Sequence, residues 1–291
     1  MNTKTQHRGF VLSFAILVIA LFILVYAQLQ SEQLRGLRLN AAQTWNQTLP
    51  SRFALDARLD LNTLLDQRLR MEQNATNVNV WLSGSLPSPL SLQTNLLRYQ
   101  TQLVSLGRDF NLYAFLDLNG IMADGNMVGR TDTNLTWKQN LNTSALVFYP
   151  GNTISNPNRV DINIYADKNY SSVNAWSLDG SGDAYVKLKY TDQNTNHTIT
   201  SEGWFTFAGT KTYSWVFENG ASQLTLTVGR VNGNNGSLFL DNNHAASLNV
   251  SYAVQWNMDA NTSSTRAGYD WPLTARGKDA NVVQTTEWVY E

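Results

Sequence analysis

The stretch Leu248–Trp256, LNVSYAVQW, alternates apolar and polar residues along its whole length. Leu248, Val250, Tyr252, Val254 and Trp256 share one face, and Asn249, Ser251, Ala253 and Gln255 share the other. A period of two belongs to a strand, whose successive side chains point to opposite sides of a sheet. Such a strand needs one packed face and one wet face, so it predicts a layered β structure. The same period recurs in Val160–Ile164, Val186–Tyr190 and Leu224–Val228.

Between these runs lie turn-forming clusters: Asp117-Leu118-Asn119-Gly120, Glu218-Asn219-Gly220 and Asn232-Gly233-Asn234-Asn235-Gly236. Short alternating strands separated by such turns predict an antiparallel β-sandwich, jelly-roll-like, over residues 111–258. Residues 259–291 read as a polar linker, DANTSSTRA at 259–267, and then a tail or last strand over Val282–Tyr290.

Upstream of 111 the period is helical. Residues 28–110 read as a helical stalk or neck with one short strand near Val78–Leu82. Leu34, Leu37, Ala41 and Trp45 fall on one helix face, and Pro50 is placed to end or kink that helix. A second helix is predicted from Ser51 to about Met71, with Leu55, Leu59, Leu65 and Leu69 on one face and an Asp66–Arg70 ion pair. A third runs from about Leu90 to Leu106, with Leu92, Leu96, Tyr99, Leu103 and Leu106 as its stripe and Gly107 as its stop.

The N-terminus is different again. Phe10–Ala27, FVLSFAILVIALFILVYA, is an apolar run broken only by Ser13 and preceded by Lys4, His7, Arg8 and Gly9. Its length approaches the ~20 residues that cross a bilayer as a helix. Residues 1–27 therefore read as leader and transmembrane anchor. With Lys4 and Arg8 before the run and Gln28, Gln30, Ser31 and Glu32 after it, the N-terminus is expected in the cytoplasm and the C-terminal part outside. The expected fold class is α+β: a long N-terminal transmembrane helix, a short helical neck and a β-sandwich head, in a single-pass protein of the cell membrane.

The segment HRGFVLSFAILVIALFILVYAQLQSEQL resembles the N-terminus of type IV pilins and pilin-like proteins, over about residues 4–48. In that family a basic leader ending in Gly is removed, and the apolar half-helix serves as anchor and then as the packed core of a filament. The resemblance implies cleavage between Gly9 and Phe10, and other pilin-like subunits as partners besides the lipid bilayer. The chain departs from the family at the fifth mature position, where major pilins carry Glu and this chain has Phe14. An uncleaved signal anchor fits the same residues. A secretory signal peptide cut after Val25-Tyr26-Ala27 fits them too.

Composition narrows the chemistry. Removing Lys4 and Arg8 from the 21 basic residues leaves 19 against 22 acidic ones, a net −3, so nucleic acid is not an expected partner. There is no cysteine, which excludes disulfides, thiolate nucleophiles and Cys-based metal sites. Nine sequons begin at Asn46, Asn74, Asn134, Asn142, Asn169, Asn196, Asn235, Asn249 and Asn261, and they make N-glycosylation of the head an expectation. Asp179-Gly180-Ser181-Gly182-Asp183 spaces oxygens as a calcium loop does, but Ala184 and Tyr190 stand where an EF-hand needs Gly and Glu. It reads as a Gly-rich turn, and no metal or other cofactor is expected.

No G-x-S-x-G motif is present, and His197 and His244 sit in Asn-rich turns. Glu202 and Glu218 flank two aromatic strands and are the only carboxylates read as a glycosidase pair. Trp137, Trp176, Trp204, Trp215, Trp256 and Trp271 could form sugar platforms, although most are expected in the core. The sequence thus predicts a non-enzymatic, membrane-anchored, pilin-like surface protein with a structural or adhesive role. The alternatives are a monomeric anchored carbohydrate-binding module that contacts surface glycans, and a surface glycoside hydrolase.

Overall fold

The computed structural model describes the backbone of residues 3–65, 67–87, 91–132, 135–140, 144–150, 157–244, 248–259, 266–277 and 284–285. Side chains are described over the same ranges except at 3–18, 39–47, 91, 124, 244 and 284–285.

The alternating segments form two large sheets. The first has six strands, in spatial order β1 (Arg68–Gln73), β2 (Asn77–Leu86), β14 (Val250–Asp259), β7 (Pro157–Ala166), β9 (Ala184–Asp192) and β10 (Thr198–Phe205). The second has eight: β15 (Ala267–Tyr269), β4 (Asn126–Thr131), β5 (Leu135–Asn140), β6 (Ala145–Pro150), β13 (Asn234–His244), β12 (Ser222–Val231), β11 (Thr210–Phe217) and β8 (Tyr170–Asn174). A small third sheet orders β17 (Gln284–Thr285), β16 (Leu273–Gly277) and β3 (Leu112–Leu116). The described residues also form the α-helices α1 (Thr3–Leu64), α2 (Ser91–Asp109) and α3 (Asn119–Asp124).

The two large sheets bury their apolar faces against each other. In β14 the even-numbered residues from Val250 to Met258 are buried while Ser251, Ala253, Gln255 and Asn257 remain partly exposed. Aromatic rings join the layers: Trp256 of β14 meets Phe148 of β6 at 5.6 Å, and Tyr190 of β9 stacks on Trp215 of β11 at 4.8 Å. Burying one such side chain is worth about 1.5–3 kcal/mol, with about 0.5–1.5 kcal/mol more for each ring pair. Close packing also dictates one glycine. At Gly129 in β4 a Cβ would lie 2.1 Å from the Trp137 ring, so no larger residue fits beneath that indole.

Topology departs from the jelly-roll-like expectation. β7 and β9 pair in parallel, from Arg159↔Tyr185 to Ala166↔Asp192. The intervening β8 has crossed to the other sheet, where it pairs with β11. Parallel neighbours require such a crossover, and no hairpin can supply it. Both large sheets also draw on residues outside 111–258: β1 and β2 on one side, and β15 on the other.

The helices meet several expectations and overturn others. α1 runs through Pro50 and ends only at Leu64, with no second helix beginning at Ser51. It buries Ala54, Ala57 and Leu61, and Leu65 just beyond its end is buried too, whereas Leu55 and Leu59 stay exposed. The small alanines let α1 approach its neighbours closely, which turns Leu55 and Leu59 of the expected face outward, while Leu65 is buried and Leu69 packs against the core. The Ser51–Met71 helix gives way to β1, whose Arg70 pairs with Glu72; Asp66 lies outside the described residues. α2 buries Leu92, Leu96 and Leu103, but Leu106 is exposed and the helix continues past Gly107. A Cβ at Gly107 would sit 2.9 Å from the Ala114 Cβ, so this glycine admits β3 and does not stop the helix. Tyr99 ties α2 to α1 through its hydroxyl, 3.1 Å from the Ala57 carbonyl and 3.2 Å from the Asp60 carboxylate.

The expected fold class therefore needs correction. Among the described residues the structure is mostly β, with 53% strand and 28% helix and several sheets. Among the described residues no helix is long and apolar enough to cross a membrane, which overturns the expected N-terminal transmembrane helix.

Candidate functional site

Two surfaces stand out, one on α1 and one on the six-stranded sheet. α1 has 62 residues, about 93 Å of helix, and its docked part lies near its C-terminal end. Every described side chain from residue 19 to 38 is exposed. Phe22, Ile23, Leu24 and Tyr26 are each more than 60% exposed. Beyond Ala27 the apolar surface narrows to a stripe, because Leu34 and Leu37 continue the helical spacing begun by Ile23 among polar neighbours. Arg35 and Arg38 stand outside that stripe.

The wet face of the six-stranded sheet is ordered in rows by strand register. One row runs Trp204–Tyr185–Arg159–Asn257–Asn79–Glu72, and the next runs Glu202–Lys187–Asp161–Gln255–Trp81–Arg70. Aromatic residues flank the sheet and amides fill its middle. Arg159 lies over the Tyr185 ring at 5.5 Å while pairing with Asp161 at 2.8 Å. That hydrogen bond holds the guanidinium even more firmly protonated than usual. At the other flank Arg70 covers Trp81 at 5.0 Å. Gln255 donates to Asn79 at 3.2 Å between the two.

The tryptophans divide as their sequence periods suggest. Trp137, Trp215 and Trp256 are fully buried, and Trp176 and Trp271 nearly so. Trp176 donates to Ser201 Oγ at 2.9 Å, and Trp271 donates to Asn62 Oδ1 at 3.1 Å. Of the six singled out by sequence, only Trp204 is partly exposed. Trp81, which that reading passed over, is its counterpart on the opposite flank of the same face. Its signal was present in the alternation Val78–Leu82, which turns Trp81 away from the core.

Glu202 and Glu218 are not brought to one site. Glu202 stands on the wet face of β10, 3.7 Å from Lys187. Glu218 follows β11 of the other sheet and is paired with Lys168. The Asp179–Asp183 loop uses its carboxylates internally: Lys211 donates to Asp179 at 3.1 Å, and the Phe207 backbone N–H donates to Asp183 at 2.7 Å. No group of three or more metal-binding side chains occurs among the described residues. His197 is exposed in the turn between β9 and β10, its ring 6.5 Å from Tyr170; the His244 side chain lies outside the described set.

Of the nine sequon asparagines, Asn74, Asn169, Asn196, Asn235 and Asn249 are described, and all five are exposed. Asn46 has no described side chain, and Asn134, Asn142 and Asn261 lie outside the described residues. Asn249 differs from the rest because its amide and backbone N–H both donate to Asp167, each at 3.0 Å. Nearby, Asp192 is almost fully buried. Burial raises its pKa, but hydrogen bonds from Thr195 Oγ1 and from the backbone at Asn194 and Thr195 outweigh that and hold the carboxyl below the usual range. Gly9 and Phe10 fall inside the continuous backbone of α1, and their side chains are outside the described set.

A pocket of about 620 Å³ also opens between β4 and the segment joining β15 to β16. Arg130 and Asp270 pair across it at 3.1 Å. The pair joins positions 140 residues apart, so nothing in the sequence pointed to it. No known family, curated protein or solved structure matches this chain.

Proposed function

We propose that this chain is a pilin-like cell-surface protein with a structural or adhesive role. Its α1 packs against α1 of other copies, and its β-rich head makes the outward contacts. The observation that carries this reading is the bare apolar surface of α1 between Ile19 and Leu37. Apolar helical surface of that extent is buried somewhere in a working protein. Its form favours helix partners, since a stripe that continues through Leu34 and Leu37 suits a neighbouring helix better than an all-round apolar surrounding. The resemblance of residues 4–48 to pilin-like N-termini points the same way, and cleavage after Gly9 would start the mature helix at Phe10. Exposure of Asn74, Asn169, Asn196 and Asn235 suits a glycosylated head.

The test is electron microscopy of native surface preparations labelled with an antibody to the head. Filaments decorated at regular intervals support the reading; label confined to single particles in every preparation refutes it. Glycan masses on peptides that contain the sequons test the glycosylation separately.

A further inference from the structure

Where α1 meets the wet face of the six-stranded sheet, the structure forms a groove of about 860 Å³. Its floor is low because Ser83 of β2 and Ala253 of β14, which pair directly, are small. Trp81 forms one side with the Arg70 guanidinium stacked on its ring, and Leu59 and Thr63 of α1 form the other. The volume falls in the range of sites that enclose a small molecule, about 300–1,000 Å³.

Among the described residues the charge of this groove is one-sided: Arg68 and Arg70 line it, and no carboxylate does. Arg70 is already paired with Glu72, which lies beyond the lining. Arg68 is exposed and has no hydrogen-bond or ion-pair partner among the described residues. This excess of positive charge contrasts with the net −3 of the chain beyond residue 27.

From this we infer that the groove between α1, β1 and β2 binds an acidic saccharide, with the Arg68 guanidinium on the ligand's carboxylate. A planar guanidinium offers the paired donors that a carboxylate accepts side by side. The aliphatic and aromatic sides match the C–H faces of a sugar ring, and the Ser83 hydroxyl, the Asn62 Nδ2 donors and the Thr63 Oγ1 acceptor, whose own proton goes to the Leu59 carbonyl, match its OH groups. A peptide added as an extra strand to β1 fits less well, because Arg68, Arg70 and Glu72 are the charged residues that guard a sheet edge against pairing. This inference deepens the adhesive half of the proposed function. It is independent of assembly, since a chain that binds sugar but stays monomeric keeps the groove and loses the filament.

The full-length chain is titrated by calorimetry with 3′-sialyllactose and with trigalacturonate. Lactose and tetraglutamate serve as the neutral and peptidic counterparts. The expected result is that at least one acidic saccharide binds about tenfold or more tightly than lactose and tetraglutamate, and more weakly as salt is raised. Arg68→Gln should remove that preference, Arg68→Lys should restore part of it, and Lys189→Gln, on the same face but outside the groove, should leave it intact. Far-UV circular dichroism of each variant guards against misfolding. Equal binding of lactose, tighter binding of tetraglutamate, no binding of either acidic sugar, or an unchanged preference in folded Arg68→Gln overturns the inference.

Discussion

Tyr190 and Trp215 stack face to face across the two large sheets, their centroids 4.8 Å apart and their planes inclined by 16°. Tyr213 stacks on the same indole at 4.5 Å, so Trp215 is the middle ring of three. Each ring comes from a different alternating strand or a different position along it, and the contact fixes how the sheets face each other.

Trp215→Ala should therefore cost about 3–5 kcal/mol of unfolding free energy, as for other buried tryptophans. Trp215→Phe should cost clearly less, because the indole Nε1 has no hydrogen-bond partner and its loss forfeits only packing. Urea denaturation of both variants measures the difference. Equal losses in the two would show that the indole nitrogen matters after all.

Gly129→Ala should destabilise by about 1–3 kcal/mol through overpacking against Trp137. Combining it with Trp137→Leu should recover part of that loss, since the smaller side chain vacates the space. A double variant that loses the full sum of the two single effects would place the strain elsewhere.

Arg58 illustrates the opposite sign. Its side chain is buried on α1 beside Ala57, its Nη2 has no partner, and desolvation lowers its pKa. Arg58→Met keeps the aliphatic volume and removes the unsatisfied donor. It should stabilise the head by about 1–2 kcal/mol, read from the urea midpoint. A lower midpoint would mean that the guanidinium has a favourable partner in solution.

Asp192 carries a pH signature. Its folded pKa lies below the unfolded value near 3.8, so its contribution is complete above that value and is lost as pH falls through the folded pKa. Asp192→Asn should be less stable than the parent at neutral pH, and the gap should close below about pH 4. Thermal melts at several pH values give the curve, and a gap that widens in acid contradicts the assignment.

Much of the head was legible in the sequence because a period of two is a local signal. Val160–Ile164, Val186–Tyr190 and Leu224–Val228 lie in strands with the expected face buried, as does Val250–Trp256 of the Leu248–Trp256 stretch. Arg68–Gln73 shows where the signal misleads: Leu69 also fits a helical leucine spacing, which masks the alternation of this short edge strand. Leu55 and Leu59 mislead in another way, since apolar side chains marked a face that the smaller Ala54 and Ala57 took. Gly107 resembles a helix stop in sequence, but its close neighbour in space, Ala114, lies outside any local pattern. The parallel pairing of β7 with β9, and the groove that joins Arg68 to Ala253, depend on contacts between distant positions. No local pattern encodes these.

The central claim is that α1 is covered by copies of itself, and sedimentation velocity of the purified full-length chain tests it most directly. The parent should sediment as concentration-dependent assemblies, and Phe22→Glu with Leu24→Glu should return it to a monomer with an unchanged head. A parent chain that stays monomeric throughout, or a charged variant that assembles as well as the parent, contradicts it.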